Sequence, residues 1–507
     1  MQESMEITGL ERNNTLMEHF KAIFYPESVA VIGASNSMEK WGAGVFSSVL
    51  RTSNIKQLYP VNNKTSEVMG VKTYPSVRDI PGPVDFAAIV VPFNYVLDVV
   101  KDCVAKGVKG ALVITAGLGE TGADGERLQK EIVDTARAGG MRFVGPNCMG
   151  HFNTANSFST ARGGGEALRK GNVGVISQSG GFAAHILQIG AEMGVGFSKF
   201  VSTGNEADLH FEDFFEYYAQ DNDTKVITAY IEGLREGPRF FDIARKTTKH
   251  KPVVVVKVGR TNAGTRAAKS HTAAIAGSDH VYDAMFKQAG IIRVDDVEEL
   301  FDVASGLLHI PMPRGNRVGI LTFGGGFGCI TADASERLGM EVARLSQKTI
   351  EAINKILPER WPHANPVDTV GYGEVTYPCL WPMLEDENID SVIVIGGLAN
   401  MGLRKRMASL KQDAFQDQDD PSSMFGMTLD MMKAREEEEK KNLAKLYDYM
   451  KKYKKPVLTF DRRVEHLKDE PLYKELQENG IMIYPTPERA ARVLARLSEY
   501  AKYLNSH

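Results

Sequence analysis

Ser28-Val29-Ala30-Val31-Ile32-Gly33-Ala34-Ser35 decides the fold. A run of β-branched and small apolar residues, with no polar alternation, reads as a strand buried on both faces. It runs straight into a turn of small residues, and Gly42 and Gly44 follow at what reads as a helix start. Such a turn lets backbone N–H groups approach a phosphate at a helix N-terminus. The pattern recurs at 55–61, 86–92, 110–115 and 142–147, with helical segments such as 94–106 and 124–138 between. Strands alternating with helices predict a parallel, doubly wound α/β sheet whose ligand lies beyond the C-terminal strand ends. Those ends carry Gly33-Ala34-Ser35, Pro60-Val61-Asn62, Val91-Pro92, Thr115-Ala116-Gly117 and Pro146-Asn147-Cys148. Any one of these is equally an ordinary strand-to-helix turn; five together favour a nucleotide-sized site.

Two more units repeat the pattern. Asn172–Ser177 is a strand, followed by Gln178-Ser179-Gly180-Gly181 and a helix from about 182 to 193. Gly180 and Gly181 leave amides bare at a helix start, a plausible phosphate cradle beside the plain alternative of a tight turn. Further strands are expected at 197–201, 226–231 and 253–256, with a closing helix at 295–310. Pro311-Met312-Pro313-Arg314-Gly315 reads as a linker. The third unit opens with the strand Val318–Phe323 and the turn Gly324-Gly325-Gly326-Phe327-Gly328, and has later strands at 391–396 and 456–460. The expected boundaries are an N-terminal arm at 1–20 and units at 21–155, 165–310 and 316–507. A charged insertion spans about 401–452, with 433–452 as an exposed helix, and 487–503 closes the chain as an amphipathic helix.

Composition excludes several classes. The 507 residues suffice for about three domains, and the 43% hydrophobic content can bury substantial cores. A net charge of −4 gives no reason to expect nucleic acid or an anionic membrane as partner. No apolar run reaches membrane-spanning length, and the first thirty residues hold no signal-like apolar stretch. Cys103, Cys148, Cys329 and Cys379 are far apart, without metal-ligand spacing, so no metal site is expected and the setting reads as a reducing cytoplasm.

The chemistry-bearing stretch is Lys269-Ser270-His271-Thr272-Ala273-Ala274-Ile275-Ala276-Gly277. A neutral imidazole is a nucleophile at physiological pH, and here it lies among small residues after the strand at 253–256. Glu232-Gly233 follows the strand at 226–231, so Glu232 and His271 both follow strand ends of one sheet. A carboxylate there accepts the proton of one ring nitrogen and frees the other for attack. The bland alternatives are a loop histidine without chemistry and a solvated acid.

Together these stretches resemble the NDP-forming acyl-CoA synthetases, relatives of the α subunit of succinyl-CoA synthetase. The likeness rests on Ser28–Ser35, Gly145-Pro146-Asn147-Cys148-Met149-Gly150, Ser177–Gly181, Glu232-Gly233 and Ser270-His271-Thr272 through Gly277, in family order over about residues 20–400. It implies a Rossmann-like CoA-binding domain followed by two flavodoxin-like ligase domains. It implies interconversion of acyl-CoA, ADP and phosphate with carboxylate, CoA and ATP, through an acyl phosphate and a phosphohistidine. His271 is then the nucleophile and Glu232 the acid that orients it. Gln178, Ser179, Gly180 and Gly181 hold the phosphoryl group, and Gly33, Ala34, Ser35, Lys64, Val91, Pro92, Thr115 and Asn147 bind CoA. The family's ATP-grasp domain, which takes ATP or ADP and Mg²⁺, is not found in this sequence. The resemblance therefore implies an ATP-grasp β-type partner subunit and a hetero-oligomer.

The sequence departs from the family at two places. Relatives usually carry Asn-Ala-Gly-Gly-Pro-Gly where this chain has Thr322–Gly328, and Thr-Gly after the histidine where it has Thr272-Ala273. A second reading keeps the fold as a non-catalytic CoA or acyl-CoA sensor. A third, an NAD-dependent dehydrogenase, rests only on the first turn, which lacks the G-x-G-x-x-G spacing and a clear ribose-binding acid.

Overall fold

The computed structural model describes residues 16–51, 55–162, 168–264, 266, 278–396, 398, 429–461, 464 and 471–506. The chain divides into two compact units, one up to Ala304 and one from Ser305.

The first unit contains two large sheets beside a two-stranded antiparallel pair at Glu67–Val68 and Val71–Lys72. The first sheet has β1 (Ser28–Ile32), β2 (Gln57–Val61), β3 (Phe86–Ile89), β4 (Gly110–Val113) and β5 (Arg142–Val144), all parallel, in the order β2-β1-β3-β4-β5. Its helices include α1 (Trp41–Leu50), α2 (Val96–Lys106) and α3 (Ala123–Ala138). The two-residue strand period sorts side chains into two layers. Val29, Val31, Phe86 and Ala88 pack in the cluster that holds Val45, Phe46 and Val49 of α1. Ala30, Ile32, Ala87 and Ile89 pack in the one that holds Val96 and Val100 of α2 and Ile132 of α3. Coverage on both faces is why these strands read as unbroken apolar runs.

The second sheet has β6 (His151–Asn153), β7 (Phe158–Ser159), β8 (Lys170–Ser177), β9 (Phe197–Ser202), β10 (Val226–Ile231), β11 (Val253–Lys257) and β12 (Ile292–Val294). Their order is β12-β11-β10-β8-β9-β6-β7, parallel except for the antiparallel pairs made by β6. Its helices include α4 (Gly180–Glu192), α5 (Phe211–Gln220), α6 (Gly237–Thr247) and α7 (Asp279–Ala289), and α8 (Val297–His309) runs across the division at Ala304. The chain thus joins this sheet at His151, ahead of the expected start at 165.

Residues 16–24 are helical, so the expected arm over 1–20 is corrected for its last five residues. Leu16, Phe20, Ile23 and Phe24 are buried, and their spacing of four, three and one is a single helix face. Phe20 stacks on Tyr217 at 4.5 Å and meets Phe214 edge-on at 5.3 Å, both on α5. His151 Nε2 donates to Ile23 O (2.8 Å) and Asn153 Nδ2 to Phe24 O (3.1 Å), satisfying carbonyls at the helix end. Burial pushes the His151 imidazole down to about 4, so it serves as a neutral hydrogen-bonding group.

The second compact unit holds β13 (Arg317–Thr322), β14 (Glu341–Val342), β15 (Val367–Asp368), β16 (Ser391–Ile395), β17 (Val457–Phe460) and β18 (Met482–Tyr484). They run parallel in the order β14-β13-β16-β17-β18, with β15 also on β13. Its helices include α9 (Gly325–Arg337), α10 (Thr376–Glu385), α11 (Leu429–Tyr453) and α12 (Pro487–Ser506). The expectation of an exposed helix over 433–452 is corrected in its C-terminal half. Leu443, Leu446 and Met450 of α11 are buried in the cluster that includes Leu380 and Val457. Dense Glu and Lys around this narrow apolar stripe hid it from the sequence reading. Among the described residues no helix is long and apolar enough to cross a membrane.

The helix at 16–24 is expected to stabilise the first unit as core. Phe20→Ala should lower the unfolding free energy by about 3–5 kcal/mol, measured by urea denaturation. A change within about 0.5 kcal/mol, as at a surface position, would detach this helix from the core.

Candidate functional site

The C-terminal ends of the first sheet are strung together by hydrogen bonds in sheet order. Asn62 Nδ2, after β2, donates to Ala34 O after β1 (2.7 Å). Val90 N, after β3, donates to Ile32 O (2.8 Å), Thr115 Oγ1 to Val91 O (2.7 Å), and Asn147 N to Thr115 O (3.0 Å). Gly33 has φ +91°, and a Cβ there would fall 2.1 Å from Val90 O, so only glycine fits the turn. A Cβ on Gly42 would fall 2.0 Å from Gly33 O, which shows how closely the start of α1 presses on that turn. Ser35 Oγ accepts from Ser37 N (3.1 Å), and Lys64 N donates to Asn62 Oδ1 (2.7 Å) with its side chain exposed. Gly33, Ala34, Ser35, Lys64, Val91, Pro92, Thr115 and Asn147 therefore all stand on the turns of one sheet edge. The sequence reading passed over Trp41 and Phe93, large exposed rings on segments that follow β1 and β3. It also missed Arg162, whose guanidinium lies over the Trp41 ring at 5.3 Å.

On the second sheet β8 runs through Gln178 and Ser179 into α4. The Ser179 hydroxyl caps the helix by accepting from Phe182 N (3.3 Å). No acidic residue occupies the first turn of α4, and a Cβ on Gly181 would meet nothing within 4 Å, so open space lies beside this positive helix end. Gln178 Nε2 donates to Glu206 Oε1 (2.9 Å) and to Gly233 O (2.7 Å), while its Oε1 accepts from Glu232 N (2.6 Å) and Gly233 N (3.0 Å). Its own N–H donates to Tyr230 O (3.2 Å). Gln178 thus braces the end of β10, and Ser179, Gly180 and Gly181 form the open helix start beside it.

Glu232 is buried at that strand end, and its carbonyl accepts from Lys257 Nζ at the end of β11 (2.9 Å). Burial, with Arg293 nearby, brings the Lys257 ammonium down to about 8. His271 lies outside the described residues, as does most of its segment. The described feet of that segment are pinned: Arg260 pairs with Asp295 and lies 3.9 Å from Asp279 Oδ2, and Arg293 pairs with Asp279.

The two edges meet at a turn the sequence reading did not single out, Thr203-Gly204-Asn205-Glu206. Asn205 N donates to Pro146 O (2.9 Å), Asn147 Nδ2 to Asn205 Oδ1 (3.3 Å), and Thr203 N to Ser177 O (2.9 Å). A Cβ on Gly180 would sit 3.6 Å from Asn147 O, so the phosphate-cradle candidate borders the last turn of the first sheet. Glu206 is buried beside Gln178 and Thr203, whose hydroxyl donates to its Oε1 (2.7 Å). Burial raises the Glu206 carboxyl to about 7 against these two bonds; the Glu212 carboxylate adds to the rise and Arg235 opposes it.

In the second unit the start of α9 repeats the glycine pattern. A Cβ on Gly324 or Gly326 would meet nothing within 4 Å, and one on Gly325 would meet Asp368 Oδ2 at 3.4 Å. Phe323 and Phe327 stand exposed there, with Phe460 against Phe327. Among the described residues no group of three or more His, Cys, Asp or Glu is placed to hold a metal ion.

Known proteins match this arrangement along the chain. The CoA binding domain family matches residues 27–154, and the succinyl-CoA ligase like flavodoxin domain family matches residues 170–307. The α subunit of acetate–CoA ligase (ADP-forming) II of Pyrococcus furiosus is 45% identical over 375 residues, covering 73% of this chain and 81% of that protein. The α subunit of acetate–CoA ligase (ADP-forming) I of the same organism is 34% identical over 491 residues, covering 96% and 99%. The dinucleotide forming acetyl-coenzyme A synthetase 1 of Ca. Korarchaeum cryptofilum, solved in complex with phosphate and ADP, superposes with a TM-score of 0.78. It is 31% identical and the match covers 96% of this chain and 98% of that one.

The raised Glu206 carboxyl ties stability to pH. The folded state keeps this proton where an unfolded glutamate, with a pKa of about 4.3, has lost it. Its stabilising contribution is fully present below the unfolded value and is lost as pH rises through about 7. Glu206→Gln removes the titration, so the variant should gain on wild type by on the order of 1–3 kcal/mol between pH 5 and pH 8. Urea unfolding at several pH values measures the difference; a difference that stays flat sinks this assignment.

Proposed function

The chain belongs to the family of ADP-forming acetate–CoA ligases and their α subunits, and from that premise we propose that it is the α-type subunit of an ADP-forming acyl-CoA synthetase. It is an acid–thiol ligase that uses CoA and an adenine nucleotide, interconverting acyl-CoA, ADP and phosphate with carboxylate, CoA and ATP. A phosphate oxygen attacks the thioester carbonyl, the C–S bond breaks, and CoA leaves as the thiolate. One imidazole nitrogen of His271 then attacks the phosphorus of the acyl phosphate; the P–O bond breaks and the carboxylate departs with the electron pair. Glu232 holds the proton on the other ring nitrogen, so the ring gains electron density as the N–P bond forms. Transfer to the terminal oxygen of ADP restores the imidazole.

The observation that carries this reading is the shared edge. The Glu232 strand end is hydrogen-bonded to Gln178, which immediately precedes the open start of α4, and that start borders the Asn147 turn of the CoA-side sheet. A helix start without an acid favours the transferring phosphoryl group by its dipole and bare amides. CoA, in this reading, lies on the turns carrying Gly33, Ala34, Ser35, Lys64, Val91, Pro92, Thr115 and Asn147. The CoA-side part is assigned to about 16–150, the phosphohistidine part to about 151–310 and the last part to 316–507. ATP or ADP and Mg²⁺ are taken by an ATP-grasp β-type subunit in a cytoplasmic hetero-oligomer, and His271 carries the phosphoryl group to it.

Purified chain with acyl-CoA and radiolabelled phosphate should form a phosphoenzyme labelled on His271, across at least one of several acyl-CoAs tried. With the partner subunit and ADP it should make ATP. His271→Ala should abolish the label, and Glu232→Gln should slow its formation by roughly 10²-fold or more. Binding of CoA with no label on His271 in any of these mixtures ends this reading in favour of a CoA sensor.

A further inference from the structure

We propose that Glu206 is a positioning residue of the phosphoryl-transfer site, holding the Gln178 carboxamide in the orientation that fixes the backbone of Glu232 and Gly233. This rests on the reading of Glu232 as the acid beside the phosphohistidine, but the hold itself is independent of it.

A glutamine side chain offers two N–H donors and two lone pairs. In Gln178 all four are used: Nε2 donates to Gly233 O and Glu206 Oε1, and Oε1 accepts from Glu232 N and Gly233 N. Rotating the amide by half a turn would set an NH₂ group against two N–H groups and an oxygen against two oxygens. Glu206 is the one side chain among the four bonds; the other three go to the backbone of the segment being positioned. Glu206 therefore supplies the carboxamide's one anchor from outside that segment, while Lys257 Nζ holds Glu232 O separately.

Glu206 is itself held firmly. Its Oε1 also accepts from Thr203 Oγ1 (2.7 Å), and its Oε2 lies 3.7 Å from Arg235 Nε. Its backbone has φ +53° and sits between two bonds to the first sheet's last turn, Asn205 N to Pro146 O (2.9 Å) and Ala207 N to Gly145 O (3.1 Å). Gly204 closes the turn against Pro146 with no space for a side chain. The position of Glu232 is therefore referred, through Gln178 and Glu206, to the edge proposed to bind CoA. Because both donors go to Oε1, the hold needs an acceptor oxygen and not a charge. Glutamine supplies that oxygen; alanine and methionine do not, and methionine keeps the volume.

Hydrogen exchange of the Glu232 and Gly233 amides reads the hold directly. Glu206→Ala and Glu206→Met should speed it by about tenfold or more, with Glu206→Gln within about threefold of wild type. Phosphoenzyme formation from acetyl-CoA and radiolabelled phosphate should slow by about 10–100-fold in the same two variants, at an unchanged KM for acetyl-CoA, and recover in Glu206→Gln. If Glu206→Ala fails to fold, Glu206→Met carries the comparison. Unchanged exchange in the folded variants overturns the proposal. So does normal labelling in Glu206→Met alongside lost labelling in Glu232→Gln, because Glu232 then acts without the hold. Normal labelling in Glu232→Gln itself overturns the reading of Glu232 and leaves the exchange rates to decide Glu206.

Discussion

Gly204 has no room for a side chain. A Cβ there would fall 2.1 Å from Pro146 O and 2.7 Å from Asn147 O, and the residue already sits at φ +61°. This contact is where the edges of the first unit's two sheets touch. Parallel sheets gather their strand-to-helix turns at one end, so a single close contact between two such ends aligns both sets of turns. The turn after β9 then hydrogen-bonds to Pro146 and Gly145 on one side and to Ser177 and Gln178 on the other. Any larger residue at 204 would push these apart and separate the small-residue turns from the α4 helix start.

The bulk of the stability lies elsewhere. One hydrophobic cluster runs from Val29, Val31 and Phe86 of the first sheet to Ile176, Val201 and Ile227 of the second, with Leu16, Phe20, Ile23 and Phe24 in it. That continuity is why two expected units form one compact body. Charges pin its register. Asp208, fully buried, accepts from Arg137 Nε (2.6 Å), Arg142 Nε (2.9 Å) and Phe143 N (2.9 Å), tying α3 and β5 to the turn after β9. Lys199, also fully buried, pairs with Asp221 (2.8 Å) and Asp223 (3.3 Å). Such pairs roughly offset their own desolvation, so their contribution is to specify one docking geometry more than to deepen the well.

How far the sequence could be read follows from how local each signal was. The central strands were legible because parallel strands covered on both faces are unbroken apolar runs, as at 28–32, 226–231 and 253–257. The short β6 and β7 were not, since three and two residues give no period to count, and the pairing of β6 with β9, which carries β7 into the sheet, is non-local. The helix at 16–24 was lost because its apolar face follows a polar stretch. The turns of the first sheet were legible as small-residue breaks, and their hydrogen-bonded string follows from strand order alone. Glu206 was not: an acid in a Thr-Gly-Asn-Glu turn looks solvated, and its burial beside Gln178 and Arg235 depends on residues distant in sequence. The bracing bonds of Gln178 were out of reach for the same reason, as their four partner atoms belong to residues 28 to 55 positions away. His271 was legible only as a motif in a setting of small residues.

The burial of Glu206 has an electrostatic consequence for the site it braces. Glu232 and Glu206 lie buried at one sheet edge, with Glu212 of α5 buried beside the segment that follows Glu232. Three full negative charges there would oppose a phosphoryl group at the α4 helix start, which contributes only a partial positive charge. Burial resists that accumulation: the Glu206 carboxyl is lifted to about 7, so near neutral pH a substantial share of molecules carry it uncharged. Glu212 Oε1 meanwhile takes the N–H groups of Arg235 (3.1 Å) and Glu236 (3.0 Å), whose dipoles offset part of its charge. The edge thus keeps its carboxylate oxygens as hydrogen-bond acceptors while limiting the negative field they project, which is what a brace beside a phosphoryl group requires.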